Sequence, residues 1–223
     1  MKRVPEPELM DDEAQARAYA EADFSEPNEH FVELYGEHVG SLPEGAAVLD
    51  LGCGPGDITL RLARAWPGVE FHGLDGSNAM LRFALRALEL ERALAARVHF
   101  VQGRVPGAAL PLSRYQAVVS NSLLHHLHDP AVLWSMVKEF AAPGAPVLVM
   151  DLMRPADAGA AAALVEQYAA TEPEVLRRDF YNSLLAAFEP AEVRAQLAAA
   201  GLGNFVVEPT SDRHLLVRGR APG

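Results

Sequence analysis

The chain alternates short, largely apolar runs with stretches in which apolar residues recur every three to four positions. The runs lie at 46–51 (AAVLDL), 69–74, 97–102, 115–120 (YQAVVS) and 145–151 (APVLVMD). Continuous apolar character over so few residues predicts strands covered on both faces, as in a parallel sheet. Between them, 57–66 puts Ile58, Leu62 and Ala65 on one side and predicts a helix, stopped by Pro67-Gly68. Ser77 suits the N-cap of a helix running to about Arg92, with Met80, Leu81, Ala84 and Leu88 inward. Pro130 opens a further helix over 130–142. This alternation predicts an α/β fold with a doubly wound, mostly parallel sheet.

The two ends differ from this middle. Residues 14 to about 40 read as helical, with a break at 25–28 where Pro27 and Asn28 suit a helix start. Residues 1–13, rich in Pro and acids, read as loose. Past 151, the segments 156–170, 172–188 and 190–200 read as helices, and 205–208 and 214–218 as a closing β-hairpin. The organisation expected is an acidic arm with cap helices over 1–45, then one domain over 46–223 carrying a helical lid at about 154–189.

Charge sharpens that division. Of the 30 acids and 19 bases, residues 1–50 hold thirteen acids and three bases, so nearly all of the net −11 belongs to the arm. A near-neutral body behind an acidic arm offers no basic footprint for nucleic acid or an anionic membrane surface, and neither is expected as a partner. The single cysteine, Cys53, leaves no internal disulfide and no Cys-cluster zinc site. It fits a reducing compartment. With no apolar leader and no run of about 18 apolar residues, the expectation is a cytoplasmic protein without a membrane span. Monomer and homodimer both stay open.

The chemistry concentrates at 48–57, VLDLGCGPGD. A strand enters Gly52, Gly54 and Gly56 and a helix follows at once. Glycines let the backbone turn tightly and approach a ligand, and the helix N-terminus adds free N–H groups. Dinucleotide loops read G-x-G-x-x-G, whereas here Asp57 occupies the third glycine position and would repel a pyrophosphate. A second point is Asp75, ending the second strand about twenty-five residues on, where an acid can take both hydroxyls of an adenosine ribose.

With these residues the sequence resembles the class I S-adenosylmethionine-dependent methyltransferases. Residues 48–63 look like the family's first motif, bringing Asp50, Gly52, Cys53, Gly54, Gly56 and Asp57 to the cofactor. Asp75 with Gly76 matches the ribose-binding acid, and Met80 the position against the adenine. The stretch 98–105 aligns with the adenine-contacting motif and supplies Gly103, Arg104 and Val105. The stretch 115–130 aligns with the motif whose Asn121 and Ser122 line the methionine end. The resemblance covers about 46–151 and implies seven strands in the order 3-2-1-4-5-7-6, with S-adenosyl-L-methionine as cofactor and S-adenosyl-L-homocysteine as product. One departure is Arg104, standing where the motif usually carries an acid for the adenine amino group.

The implied activity is methyl transfer to a small-molecule acceptor. The same fold using the cofactor for its own modification or for a cyclisation, or a non-catalytic adenosyl-ligand-binding subunit, remain alternatives. A nicotinamide oxidoreductase is disfavoured by Asp57. A general base is needed only for a nucleophile that carries a proton, and His125, Tyr19 and Asp151 are the candidates. Of the adjacent histidines, His125 is expected to face the pocket and His126 to pack. No metal is expected, since adjacent helical residues diverge and no carboxylate cluster completes a site. Cys53 reads as a small hydrophobe. The plainer reading of Arg154, Arg177, Arg178 and Arg213 is surface ion pairs. The sharper one sets Arg154, Arg178, Tyr181 and Arg213 against an anionic acceptor, because Arg offers a bidentate fork.

Overall fold

The computed structural model describes residues 1–7 and 9–223. Seven strands form one sheet in the order β3-β2-β1-β4-β5-β7-β6. They are β1 (Ala47–Leu51), β2 (Glu70–Asp75), β3 (Val98–Gln102), β4 (Ala117–Asn121), β5 (Pro146–Leu152), β6 (Val206–Pro209) and β7 (His214–Arg220). The first five are mutually parallel, and β7 runs antiparallel between β5 and β6. The order matches the expectation, and it places β1 at the switch point where the winding reverses between β2 and β4.

Every residue of β1 and β5 is buried, because helices cover both faces. Alternate residues serve opposite layers. Leu49 and Leu51 join Leu133, Trp134, Val193 and Leu197 of α5 (Ala131–Phe140) and α8 (Pro190–Ala199). Val48 joins Phe31, Leu34, Leu62 and Ala63 of α2 (Ser25–His38) and α3 (Asp57–Ala65). The remaining helices are α1 (Glu13–Glu21), α4 (Asn78–Leu90), α6 (Ala158–Ala169) and α7 (Glu174–Ala186). Ser77 caps α4 by accepting from Met80 N at 3.1 Å, as its sequence position predicts. None of the helices among the described residues is long and apolar enough to cross a membrane.

The main correction concerns the first residues. Rather than hanging loose, they run as a strap across the C-terminal ends of the strands. Arg3 donates to the carbonyls of Ala186, His125 (2.8 Å) and Leu127 (3.0 Å), and its guanidinium lies 4.0 Å from the Phe188 ring centre. Val4 N donates to Leu185 O at 3.0 Å. Ser77 Oγ donates to Met10 O at 2.8 Å.

Candidate active site

The loop after β1 is built on Gly52, Gly54 and Gly56, with φ of 74°, 54° and 83°. These left-handed values exclude most side chains. Gly52 N and Cys53 N both donate to Leu74 O, at 2.8 and 3.1 Å, and so tie the loop to β2. A Cβ on Gly56 would lie 2.6 Å from the Phe100 ring, so this glycine is required by packing as well. A Cβ on Gly54 would meet nothing within 4 Å: above it is open space.

That space is a cavity of about 550 Å³ over the ends of β1, β2 and β4. Its wall includes Asp50, Gly52, Cys53, Gly54, Asp57, Asp75, Gly76, Met80, Gly103, Arg104, Val105, Asn121 and Ser122, so of the expected cofactor residues only Gly56 lies outside it. The Asp75 carboxylate accepts from Gly54 N at 2.8 Å and Ser77 N at 2.7 Å. Burial nevertheless holds its carboxyl above the ordinary range. Asp50 lies behind the loop, 1% exposed, accepting from Thr59 Oγ1 at 2.6 Å. Burial, with Asp75 adding to it, pushes its pKa up to about 7. Burial also pushes the Cys53 thiol well up, which suits an inert packing group.

Asp57 is held from the side. Asn28 Nδ2 donates to it at 2.6 Å and Arg61 Nε at 2.9 Å, so α2 is pinned to the start of α3. Two polar residues line the cavity at the end of β4. Asn121 Oδ1 is buried with no hydrogen-bond partner among the described residues. Ser122 has φ of 57°, a strained value for a residue with a side chain.

The three candidate bases separate. Tyr19 lines the cavity, and burial pushes its phenol up to about 12, so it carries its proton at neutral pH. His125 and Asp151 do not line it. They are 2% and 1% exposed and bonded to each other, Nδ1 to Oδ1 at 2.6 Å, while Leu124 N donates to Asp151 Oδ2 at 2.6 Å. The histidine expected to pack is the one that lines the cavity: His126. The reason is local. Leu124–His126 is a single 3-10 turn, and the two rings lie 4.2 Å apart at 36° instead of diverging as on an α-helix. Burial, with His125 beside it, pushes His126 down to about 3, so it is neutral.

None of the four residues expected at the acceptor is among those lining the cavity. Arg154, 7% exposed, donates to Ala187 O at 3.1 Å and to Glu189 and Glu192 at 3.0 and 2.9 Å. Arg178 is exposed, 3.7 Å from Asp179. Tyr181 packs with Leu152, Val165 and Leu184. Arg213 stacks on Tyr168 at 3.4 Å and pairs with Asp212. Residues that sequence reasoning missed come from the strap: Leu9 and Met10 line the cavity, and Glu6 lies against both histidines. Their stretch has no periodicity that could have revealed them.

Residues 48–144 match the family described as a methyltransferase domain. Over 111 residues the chain is 32% identical to an uncharacterized methyltransferase of Mycobacterium bovis, covering 48% of this chain and 51% of that one. Over 113 residues it is 33% identical to a trans-aconitate 2-methyltransferase of an Azoarcus species, covering 51% and 41%. The chain thus spans about half, or less, of the length of these curated relatives. Among solved structures, a SAM dependent methyltransferase from Aquifex aeolicus superposes with a TM-score of 0.65 at 17% identity, over 94% of this chain and 98% of that one. Phosphoethanolamine N-methyltransferase 2 of Haemonchus contortus, solved with S-adenosylhomocysteine, superposes with a TM-score of 0.71 at 16% identity, over 95% and 58%. At such identities the likeness is one of fold.

Proposed function

We propose that this chain, a class I methyltransferase by its domain and its fold, binds S-adenosylmethionine and transfers the methyl group to a small, uncharged acceptor. The observation that carries the reading is the Asp75 carboxylate facing the open space over Gly54. The donor set fits the group. Asp75 can accept from two ribose hydroxyls, and the unpartnered Asn121 Oδ1 can accept from an amino group. Met80, Gly103, Arg104 and Val105 would take the adenine side. Gly52, Asn121 and Ser122 would take the methionine side. Asp57, held laterally by Asn28 and Arg61, keeps a carboxylate at the third glycine position, which fits a loop that holds no pyrophosphate.

When bound, the cofactor supplies a methyl group made electrophilic by its sulfonium. The work of the chain is then alignment and exclusion of water. Residues 1–45 serve as a cap on the domain formed by 46–223. From that cap, Leu9, Met10, Tyr19 and Phe24 close the cavity. Tyr19 keeps its proton and so serves as a hydrogen-bond donor to the bound molecules rather than as a base. The placement of the cations supports an uncharged acceptor: Arg154, Arg178 and Arg213 lie off the cavity, and of the four arginines in its wall Arg61 is paired with Asp57 and Glu29, Arg64 with Glu91, Arg86 lies 5.8 Å from the Phe83 ring centre, and Arg104 would take the adenine side.

The test is titration calorimetry with S-adenosylhomocysteine and, separately, a nicotinamide dinucleotide, followed by methyl-labelled cofactor with neutral and anionic acceptors. Homocysteine-ligand binding and label on a neutral acceptor are expected. Tighter dinucleotide binding, or label that never leaves the cofactor, overturns the reading.

A further inference from the structure

We propose that Glu6, His125 and His126 form a three-ligand site for a first-row transition-metal dication, with its fourth side open to the cavity. The three ligand atoms lie within 4.8 Å of one another. His125 Nδ1 is engaged by Asp151 at 2.6 Å, which turns Nε2 toward Glu6 Oε1, 3.6 Å away. His126 Nδ1 is buried without a hydrogen-bond partner and lies 3.4 Å from the same oxygen. Ligands held at 2.0–2.2 Å around a tetrahedral cation stand about 3.3–3.6 Å apart, which is the spacing from Glu6 Oε1 to each of the two imidazole nitrogens.

The surroundings agree with the geometry. A carboxylate behind one ligating imidazole fixes its tautomer and raises its basicity, and Asp151 stands in that relation to His125. Ser183 Oγ donates to Glu6 Oε1 at 2.9 Å and orients the third ligand. Two carboxylates, Glu6 and Asp151, offset the Arg3 guanidinium bonded to the His125 carbonyl. Two imidazoles and one carboxylate suit zinc, ferrous iron or cobalt rather than magnesium or calcium. Three protein ligands with one open side is the arrangement of catalytic rather than structural sites. Of the three ligands His126 alone lines the cavity, so water or an oxygen donor of the acceptor would reach the fourth position past its ring.

A second cluster, Glu70, His72 and His99, sets the contrast. His72 spends both nitrogens, on Tyr115 OH and on Glu70, each at 2.8 Å, so it has no lone pair to give. The existence of the Glu6 site stands apart from the methyl-transfer reading; its role in catalysis rests on that reading.

The experiment is titration of chelator-stripped full-length protein with Co²⁺, followed by visible absorption, with Zn²⁺ as competitor. One Co²⁺ per chain with intense low-symmetry bands is expected. Glu6→Gln and His126→Ala should abolish them, and Asp151→Asn should weaken binding roughly 10–100-fold. His99→Ala should leave them unchanged. Circular dichroism identifies any variant that fails to fold, and the isosteric Glu6→Gln keeps the test alive if His126→Ala does. Wild-type protein without bands at millimolar cobalt overturns the proposal, since the three groups then share only a proton. Bands that survive in His126→Ala, or vanish in His99→Ala, also overturn it. S-adenosylhomocysteine affinity is measured separately, so loss of either reading leaves the other standing.

Discussion

Gly54 donates its backbone N–H to Asp75 Oδ2 at 2.8 Å, so the glycine loop and the acid at the end of β2 are positioned as one unit. Asp75→Asn removes the charge that would receive ribose hydroxyls while keeping the side-chain shape. A hydrogen bond to a charged group is worth about 1.5–3 kcal/mol. S-adenosylhomocysteine affinity should therefore fall by roughly 10–100-fold, read by calorimetry. Equal affinity in the variant would remove Asp75 from the site.

The strap makes a prediction about the first residues. Leu9 and Met10 wall the cavity, and Met10 O accepts from Ser77, which also caps α4. Deleting residues 1–13 should weaken S-adenosylhomocysteine binding and lower the melting temperature. Arg3→Ala alone strips donors from three carbonyls, those of Ala186, His125 and Leu127. The expected cost is about 1–3 kcal/mol, measured by denaturant unfolding. Unchanged affinity on deletion would make the strap a passive tail.

Gly56→Ala tests the loop by packing. The new Cβ would stand 2.6 Å from Phe100 Cζ and 3.0 Å from Ala84 Cβ, at a φ of 83°. Overpacking and a left-handed non-glycine residue should together destabilise by about 1–3 kcal/mol. Phe100→Leu in the same chain should recover part of that loss, because it relieves the contact but not the backbone strain. No recovery would place the whole cost in the backbone.

The centre of the sheet was legible because β1 and β5 are buried on both faces, and that requirement writes itself into AVLDL and PVLVMD as nearly unbroken apolar runs. Asp75 was legible because a strand end after a glycine loop is a local pattern. Arg3 and Arg154 were not. Their partners lie 122 to 183 residues away for Arg3, and 33 to 38 for Arg154, in places no periodicity announces. The histidine pair was misread for a different reason. Helical geometry turns adjacent side chains apart, but the left-handed Ser122 leads into a 3-10 turn that sets the rings side by side. Glu6, which completes that cluster, comes from the stretch that looked loose.

Asp50 predicts how stability depends on pH. Its carboxyl is 1% exposed and its pKa is pushed up to about 7 by burial, from an ordinary value of 3.8. The folded chain therefore holds a proton that the unfolded chain releases between about pH 4 and pH 7. Stability rises with pH only where the unfolded state binds more protons, and here the reverse holds. This contribution is full below about pH 4 and is lost as pH rises through 7. Asp50→Asn cannot titrate, and its amide oxygen can still accept from Thr59 Oγ1. His214, pushed down to about 4 by burial, acts with the opposite sign, losing stability as pH falls below its unfolded value of 6.5. It is present in both proteins and cancels in their difference. Denaturant unfolding of wild type and variant at about pH 5 and about pH 8 should show the variant gaining on the wild type at the higher pH, by about a few kcal/mol at most. Parallel profiles would mean that Asp50 is ionised in the folded protein and that its charge is compensated from the cavity side.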